Sequence, residues 1–307
     1  LGKTIAALGP ALKVAQEKNL TIFFLTSRHT QHTIALDTLR DIKEKYNLSI
    51  PVIDMIGKKH LCLQEGVQLL SSGEFSEYCK QVREHKQCQY YEKARDGNEF
   101  TMDAKVVGET LVKLSPLRIE KHIEHCADEG LCPYEMNLYV GQKAKVIVAD
   151  YYYMFNPSVS KSFLHKVKKD LSDAVIIVDE AHNLTGRIRE LLSGRLSTTL
   201  LRNASKEANE LGADDCIPLL NEISESVLEL LDLDGEKIVP KGGFKFPEHA
   251  ADVFLKWSDK IVEDKKRSNL AMVAKFLDSY NEESGFVNII KSVDTDRGKR
   301  VELVHSC

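Results

Sequence analysis

Gly2-Lys3-Thr4 leads directly into the helix-forming run Ile5-Ala-Ala-Leu8. A glycine that frees the backbone, a lysine and a hydroxyl at a helix start match the end of the phosphate-binding pattern G-x-x-x-x-G-K-[ST]. In that pattern backbone N–H groups wrap phosphate oxygens, the lysine neutralises β/γ charge, and the hydroxyl ligates Mg²⁺. Three letters are a weak match, and a chance Gly-Lys-Thr is the plain alternative. Asp179-Glu-Ala-His182 raises the odds, because it follows the apolar run Val175–Val178 and a four-letter match arises by chance only roughly a few times in a thousand such chains. A carboxylate at the C-terminal end of a parallel strand reaches the metal of a phosphate loop. Asp179 is expected to hold Mg²⁺ together with Thr4, and Glu180 to orient or deprotonate an attacking water, with Lys3 on the phosphates. Gly2, Lys3, Thr4, Asp179 and His182 form the expected nucleotide-binding set. The bland alternative for the acidic pair is a surface helix start favoured by the helix dipole.

Seven cysteines, an odd number without a Cys-x-x-Cys pair, do not read as a disulfide framework in a chain this large. Five of them, Cys62, Cys79, Cys88, Cys126 and Cys132, fall between Gly57 and Gln142. Reduced thiols or metal ligation remain. Independent buried thiols are one reading, and a zinc site from His122, Cys126 and Cys132 is another. Cys216 and Cys307 lie outside the cluster and look structural.

The elements that must position these residues follow from hydrophobic period. A helix from Thr4 to about Asn19 is followed by the apolar strand Thr21–Thr26, a helix near Gln31 to Tyr46 and a short strand at Pro51 to Ile56. Strand, helix, strand with continuous apolar runs is the signature of a parallel α/β sheet. From 57 to 142 the period is lost, which reads as an insertion, polar and poorly periodic. The pattern resumes with Lys145–Ala149, a helical stretch and Ala174–Val178. Beyond about Leu184 acidic-faced helices predict a second, mostly helical insertion, and Arg300–His305 alternates like a strand returning to the sheet.

With 307 residues, 43% hydrophobic and 29% charged, the chain is of globular composition and large enough for more than one domain. No run approaches the length of a membrane span, and Leu1-Gly2-Lys3-Thr4 is neither a signal segment nor an initiator start. The expectation is an intracellular protein, cytoplasmic if prokaryotic and nuclear if eukaryotic, that lacks its natural N-terminus. The net charge of −4 excludes coating of nucleic acid by bulk charge but not a local groove. Lysines between Lys143 and Lys169 contrast with Ser205–Glu236, where ten acidic residues face only Lys206.

The phosphate-loop end, Asp179-Glu-Ala-His-Asn183 and the cysteine-rich stretch between them resemble the XPD family of superfamily-two helicases, with DinG-type bacterial relatives. Thr26–Gln31 resembles the family's motif Ia, and Val146–Pro157 its next strand and loop. The resemblance implies an α/β RecA-like motor domain (1–56 and 143–190, with return strand 300–307), an iron–sulfur domain (57–142) and an arch domain (191–299), with the second motor domain absent. The compact arch looks archaeal. It implies a [4Fe–4S] cluster on Cys62, Cys79, Cys88 and Cys132, in the contexts Lys59-His-Leu-Cys62, Cys88-Gln-Tyr-Tyr91 and Cys132-Pro-Tyr134. Intervening spacings of 16, 8 and 43 residues would not announce such a cluster by themselves, and Cys126 is left as a spare thiol. The resemblance further implies ATP-dependent DNA unwinding in repair, 5′ to 3′, with ATP, Mg²⁺ and single-stranded or forked DNA as ligands and repair proteins at the arch. Ser27, Arg28 and Thr30 are DNA-contact candidates on the same ground. Tyr90, Tyr91 and Tyr134 with Lys58, Lys59 and Lys93 are stacking and phosphate candidates, although tyrosines beside a metal site more often pack it. Two rivals stay open: a nucleotide-binding scaffold without unwinding, and a DinG-type helicase with nuclease function.

Overall fold

Thr21-Ile-Phe-Phe-Leu-Thr26 has no polar alternation, as a strand covered on both faces requires. It forms β1 (Thr21–Thr26), and all six residues are buried. The structure, a computed structural model, describes residues 2–231, 235–261, 268–280, 285–295 and 298–306. It divides into two compact units, Leu1–Ile188 and Arg189–Cys307.

In the first unit α1 (Lys3–Glu17) precedes β1, and α2 (His29–Tyr46) connects β1 to β2 (Val52–Met55). After the cysteine-bearing stretch come β5 (Val146–Asp150), α8 (Tyr152–Phe155), α9 (Pro157–Val167) and β6 (Ala174–Val178). The four strands pair in parallel in the order β2-β5-β1-β6, with Phe24 opposite Val148 on one side and Ile177 on the other. Alternate β1 residues enter two cores, which is how a period of two serves a two-sided sheet. Ile22 and Phe24 pack with Leu8, Leu12, Leu36 and Leu39 under α1 and α2. Phe23 and Leu25 pack on the opposite face with Ile53, Met55 and Ile147. The expected parallel α/β architecture is present. β6 is an edge: it pairs with β1 only, among the described residues, and Ile176 is 44% exposed.

Residues 57–142 differ from the expectation of an insertion without a core. α3 (Ser72–Glu84), α4 (Gln89–Ala94) and the hairpin β3 (Arg95–Asp96) and β4 (Glu99–Phe100) lead into α5 (Met102–Leu114), α6 (Ile119–Asp128) and α7 (Pro133–Lys143). Ala104, Leu111, Met136, Leu138 and Val140 belong to the same buried cluster as Phe23 and Leu25. Helices α5 to α7 are therefore the second layer over the sheet, and the packing boundary does not fall at 142. Sequence period missed this because α7 is buried nearly all round, Glu135 and Asn137 included, so it shows no amphipathic stripe.

The second unit begins within α10 (Leu184–Leu192) and contains β7 (Gly194–Ser197), α11 (Thr198–Leu211), α12 (Cys216–Glu229), β8 (Glu236–Val239), α13 (Ala250–Ile261), α14 (Asn269–Ser279), β9 (Val287–Thr295) and β10 (Gly298–Ser306). The unit is mostly helical, as expected, and it also holds a four-stranded antiparallel sheet in the order β7-β10-β9-β8, which sequence reading did not anticipate. One expectation is corrected: the expected return strand exists as β10, but among the described residues it bonds to β9 and β7 and to no strand of the parallel sheet. Alternation was the clue: it marks a half-buried antiparallel strand, whereas β1, β5 and β6 are nearly continuous apolar runs. The acidic run is not wholly solvated either. Glu207, 6% exposed, accepts from Ser268 Oγ at 2.6 Å and from the Asn269 and Leu270 amides at 2.8 and 3.2 Å, capping α14. Cys216 is buried in this unit's core, as expected of a structural thiol, while Cys307 lies outside the described residues. Among the described residues no helix is long and apolar enough to cross a membrane.

Candidate functional site

Gly2 has φ +89°, a left-handed conformation natural to glycine, and α1 starts at the next residue. Lys3 and Thr4 thus occupy the first turn of a helix whose free N–H groups face the C-terminal end of the sheet. β6 brings the other half of the site to the same edge. The Asp179 amide donates to the Leu25 carbonyl at 2.8 Å, extending the ladder with β1 by one bond. Glu180 then turns left-handed at φ 51°, ψ 45°. Lys3 Nζ stands 3.9 Å from Glu180 Oε1, and His182 Nδ1 3.3 Å from Glu180 Oε2. The Lys3 side chain is 84% exposed and that of Glu180 33%, so this contact is weak and the ammonium is available to a phosphate. Tyr151, buried at the end of β5, points its hydroxyl at the Asp179 carbonyl and lies 3.1 Å from the Glu180 carbonyl. At 1% exposure Tyr151 is not available to stack against a nucleic-acid base.

The four thiols Cys62, Cys79, Cys88 and Cys132 line one cavity with Phe75, Tyr90 and Tyr91. They arrive from four segments: the end of a short 3₁₀ turn (Lys58–Leu61), the middle of α3, and the positions preceding α4 and α7. The Cys132 amide donates to the Tyr90 carbonyl at 3.0 Å, and Gln64 Nε2 lies 3.6 Å from Cys88 Sγ. Burial raises the Cys62 thiol above its ordinary range, and neighbouring Cys79 and Cys88 add to the rise. Burial likewise pushes Cys132 up to about 12. Such mutual penalties are what a bound cation reverses. Among the described residues no three His, Cys, Asp or Glu side chains stand at metal-ligand spacing. The donor set, four sulfurs in one largely apolar cavity, suits an iron–sulfur cluster in kind.

Cys126 is outside this cavity. It is fully buried in the sheet-facing core, 3.7 Å from His122 Nε2, and that nitrogen sits 2.9 Å from the Pro133 carbonyl. Burial depresses the His122 pKa. This environment favours a packed thiol and a neutral imidazole over a zinc site.

A groove of about 1320 Å³ opens beside the thiols. Lys58, Lys59, Tyr91, Tyr134 and Tyr152 line it. Lys58 Nζ lies 4.9 Å from the Tyr134 ring centre and Lys166 Nζ 6.0 Å, cation–π distances. Burial and the neighbouring Lys58 charge lower the pKa of Lys166. Sequence reading missed Lys80, Arg83, Arg95 and Lys105 here. Lys80 and Arg83, three apart on α3, share a helix face and were legible in principle. Arg95, from the small hairpin, was not; it bonds Glu135 at 2.8 Å and stacks 3.5 Å over Phe100. Ser27, Arg28 and Thr30 do not line the groove. They follow β1, with Arg28 preceding α2 and, like Thr30, exposed. Lys93 donates instead to the Glu129 carbonyl at 2.6 Å, and Tyr90 faces the thiol cavity.

The chain is 25% identical over 217 residues to the regulator of telomere elongation helicase 1 homolog of Caenorhabditis briggsae, covering 70% of this chain and 20% of that protein. It is 24% identical over 290 residues to the general transcription and DNA repair factor IIH helicase subunit XPD/RAD3 of Saccharomyces cerevisiae, covering 89% and 34%. It thus spans about a fifth to a third of the length of these relatives. Among solved structures, an XPD helicase superposes with a TM-score of 0.61 at 21% identity, over 99% of this chain and 48% of that one. A truncated XPD gives 0.58 at 20%, over 98% and 78%. At such identities these two show the shared fold alone. The DEAD_2 family model matches residues 24–201, a stretch that takes in the end of β1, the four cavity thiols and the turn at Asp179–His182, and so this chain belongs to the DEAD_2 family.

Proposed function

We propose that the chain is the nucleotide-hydrolysing and strand-holding part of an ATP-dependent DNA helicase that acts in repair. The observation that carries this reading is the convergence of Lys3 and Glu180, 177 positions apart with Glu180 two residues past the end of β6, at 3.9 Å on one edge of a parallel sheet. Membership of DEAD_2 and relatives that bear helicase names support it.

Gly2 and the first turn of α1 would cradle the phosphates of ATP, with Lys3 compensating β/γ charge. Thr4 and Asp179 would hold Mg²⁺, which when bound polarises the phosphoryl oxygens. Glu180 orients the attacking water and takes its proton, and His182 keeps the Glu180 carboxylate turned toward the site. Single-stranded DNA would lie in the basic groove, its phosphates on Lys58, Lys59, Arg83 and Lys166 and its bases against Tyr134 and Tyr152, a sequence-blind mode. Arg28 and Thr30 would extend that track along the sheet edge. Cys62, Cys79, Cys88 and Cys132 would hold a [4Fe–4S] cluster, which ties together four chain segments beside the groove. Movement 5′ to 3′, repair partners on the second unit and an intracellular site of action complete the proposal.

In the full-length protein Lys3→Ala and Glu180→Gln are expected to reduce DNA-stimulated ATP hydrolysis by about a hundredfold or more while leaving the fold intact. Near-parental turnover by Glu180→Gln, measured as phosphate release, would overturn the assignment.

A further inference from the structure

The turn at Glu180 poses a problem that the nucleotide-binding residues do not solve. A non-glycine residue at φ 51° carries local strain and persists only where its surroundings over-determine it. The Glu180 carboxylate cannot do this, since its partners Lys3 and His182 are 84% and 71% exposed. The backbone is held from below instead. Tyr151 is 1% exposed, its amide donates to the Thr26 carbonyl at 3.3 Å, and its ring meets Phe155 edge-on at 6.3 Å. Its single hydroxyl proton is shared between the carbonyls of Asp179 and Glu180, the two peptides that set the direction of the Glu180 side chain.

The residues after Tyr151 reach elsewhere. Tyr152 is 44% exposed and lines the basic groove, and Tyr153 donates through its hydroxyl to the Ile56 carbonyl at 2.7 Å. One four-residue helix, α8, therefore begins next to the tyrosine that grips the Glu180 turn and carries a groove residue in its first position.

We propose that Tyr151 is a positioning residue for hydrolysis. It holds Glu180 in its left-handed turn, and through the adjoining α8 it links the aim of Glu180 to occupancy of the groove. This rests on the reading of Glu180 as the water-orienting residue given above. A buried hydroxyl bridging two carbonyls has no direct part in binding nucleotide, so its removal acts on the chemical step alone.

The test uses the full-length protein and Tyr151→Phe, which keeps the ring and deletes the donor. kcat for ATP should fall about tenfold, and stimulation by single-stranded DNA should shrink by a similar factor, while KM for ATP and the Kd for an oligothymidylate stay within about twofold. Tyr153→Phe, which loses the bond to Ile56 but not the grip on Glu180, should keep kcat within about twofold. Tyr151→Phe with parental kcat and parental stimulation overturns the proposal, as does a loss in which kcat, KM and Kd worsen together. Glu180→Gln run alongside separates the two readings, because full turnover in that variant overturns the proposed site itself, whereas its inactivity beside an unaffected Tyr151→Phe overturns only the role of Tyr151. Should Tyr151→Phe not fold, 3-fluorotyrosine at position 151 replaces it. Its fluorine resonance is expected to shift on adding a non-hydrolysable ATP analogue with Mg²⁺, and again on adding oligothymidylate; a resonance indifferent to both overturns the link.

Discussion

At the scale of single residues, chemistry is decided by which side chains share a compartment. Cys88 and Cys126 are the same residue type, both buried, in neighbouring parts of one unit, yet one lines a cavity with three other thiols and the other packs among Met136, Leu138 and Leu131. On the proposed ligand set, anaerobically purified full-length protein should carry iron–sulfur absorbance and Cys88→Ser should bleach it. Cys126→Ser should keep both colour and iron content and lower stability by about 1–2 kcal/mol, as burying a hydroxyl in an apolar core does. Stoichiometric zinc in place of iron, or bleaching by Cys126→Ser alone, would count against the ligand set. Much of this level was legible. The phosphate-loop end and Asp179–His182 could be read because each is a short motif tied to an element start or end. The groove could not, because Lys80, Arg95 and Lys166 meet only after α3, a two-strand hairpin and α9 are folded, and no local spacing encodes that meeting.

Elements reveal where sequence period misleads. The strands were readable because β1, β5 and β6 are nearly continuous apolar runs and β2 is broken only by the buried Asp54. The layer of α5 to α7 was not, since α7, buried nearly all round, loses the one-sided stripe that marks a helix, and α5 buries only small residues and one leucine while leaving Met102 and Val106 exposed. Gly108 shows how closely they pack: a Cβ placed there would lie 2.3 Å from the ring of Tyr139 on α7, whose hydroxyl bonds Glu109 at 2.6 Å. Gly108→Ala should gain about 1 kcal/mol in helix propensity and lose more than that by forcing the Tyr139 ring away, with overpacking typically costing about 1–3 kcal/mol. The balance is a net loss and a melting temperature lower by a few degrees. Gly108→Ala combined with Tyr139→Leu, which frees that space, should recover part of it. An unchanged or higher melting temperature in Gly108→Ala would show that α5 and α7 slide apart freely. The same packing limits what losing one of the four cavity thiols should do: Ala94, Phe100 and α5 to α7 share the sheet's core, so only the part from the 3₁₀ turn through α3 should become protease-sensitive.

For the molecule as a whole, a net charge of −4 conceals a division of labour. Acidic residues concentrate between Ser205 and Glu236, while the groove of the first unit carries eight lysines and arginines against three glutamates. Bulk charge is therefore a poor guide to what a surface binds, and a local field a better one. The outer margin of the parallel sheet has a different consequence, one of colloid behaviour. Ala174-Val-Ile-Ile-Val178 has neither charge nor proline nor bulge to blunt it, and Ile176 stands open to water. Unpaired backbone groups along such a margin template the addition of another strand. The 307-residue chain purified by itself should accordingly self-associate as its concentration rises, visible in sedimentation velocity as a growing fast component. Ile176→Lys, which places a gatekeeper charge on that margin, should shift the onset to concentrations about tenfold higher without altering the far-ultraviolet circular dichroism. A parent chain that sediments as one species across that range would mean the margin of β6 is already shielded, and the sheet's solubility would then owe nothing to a lysine at 176.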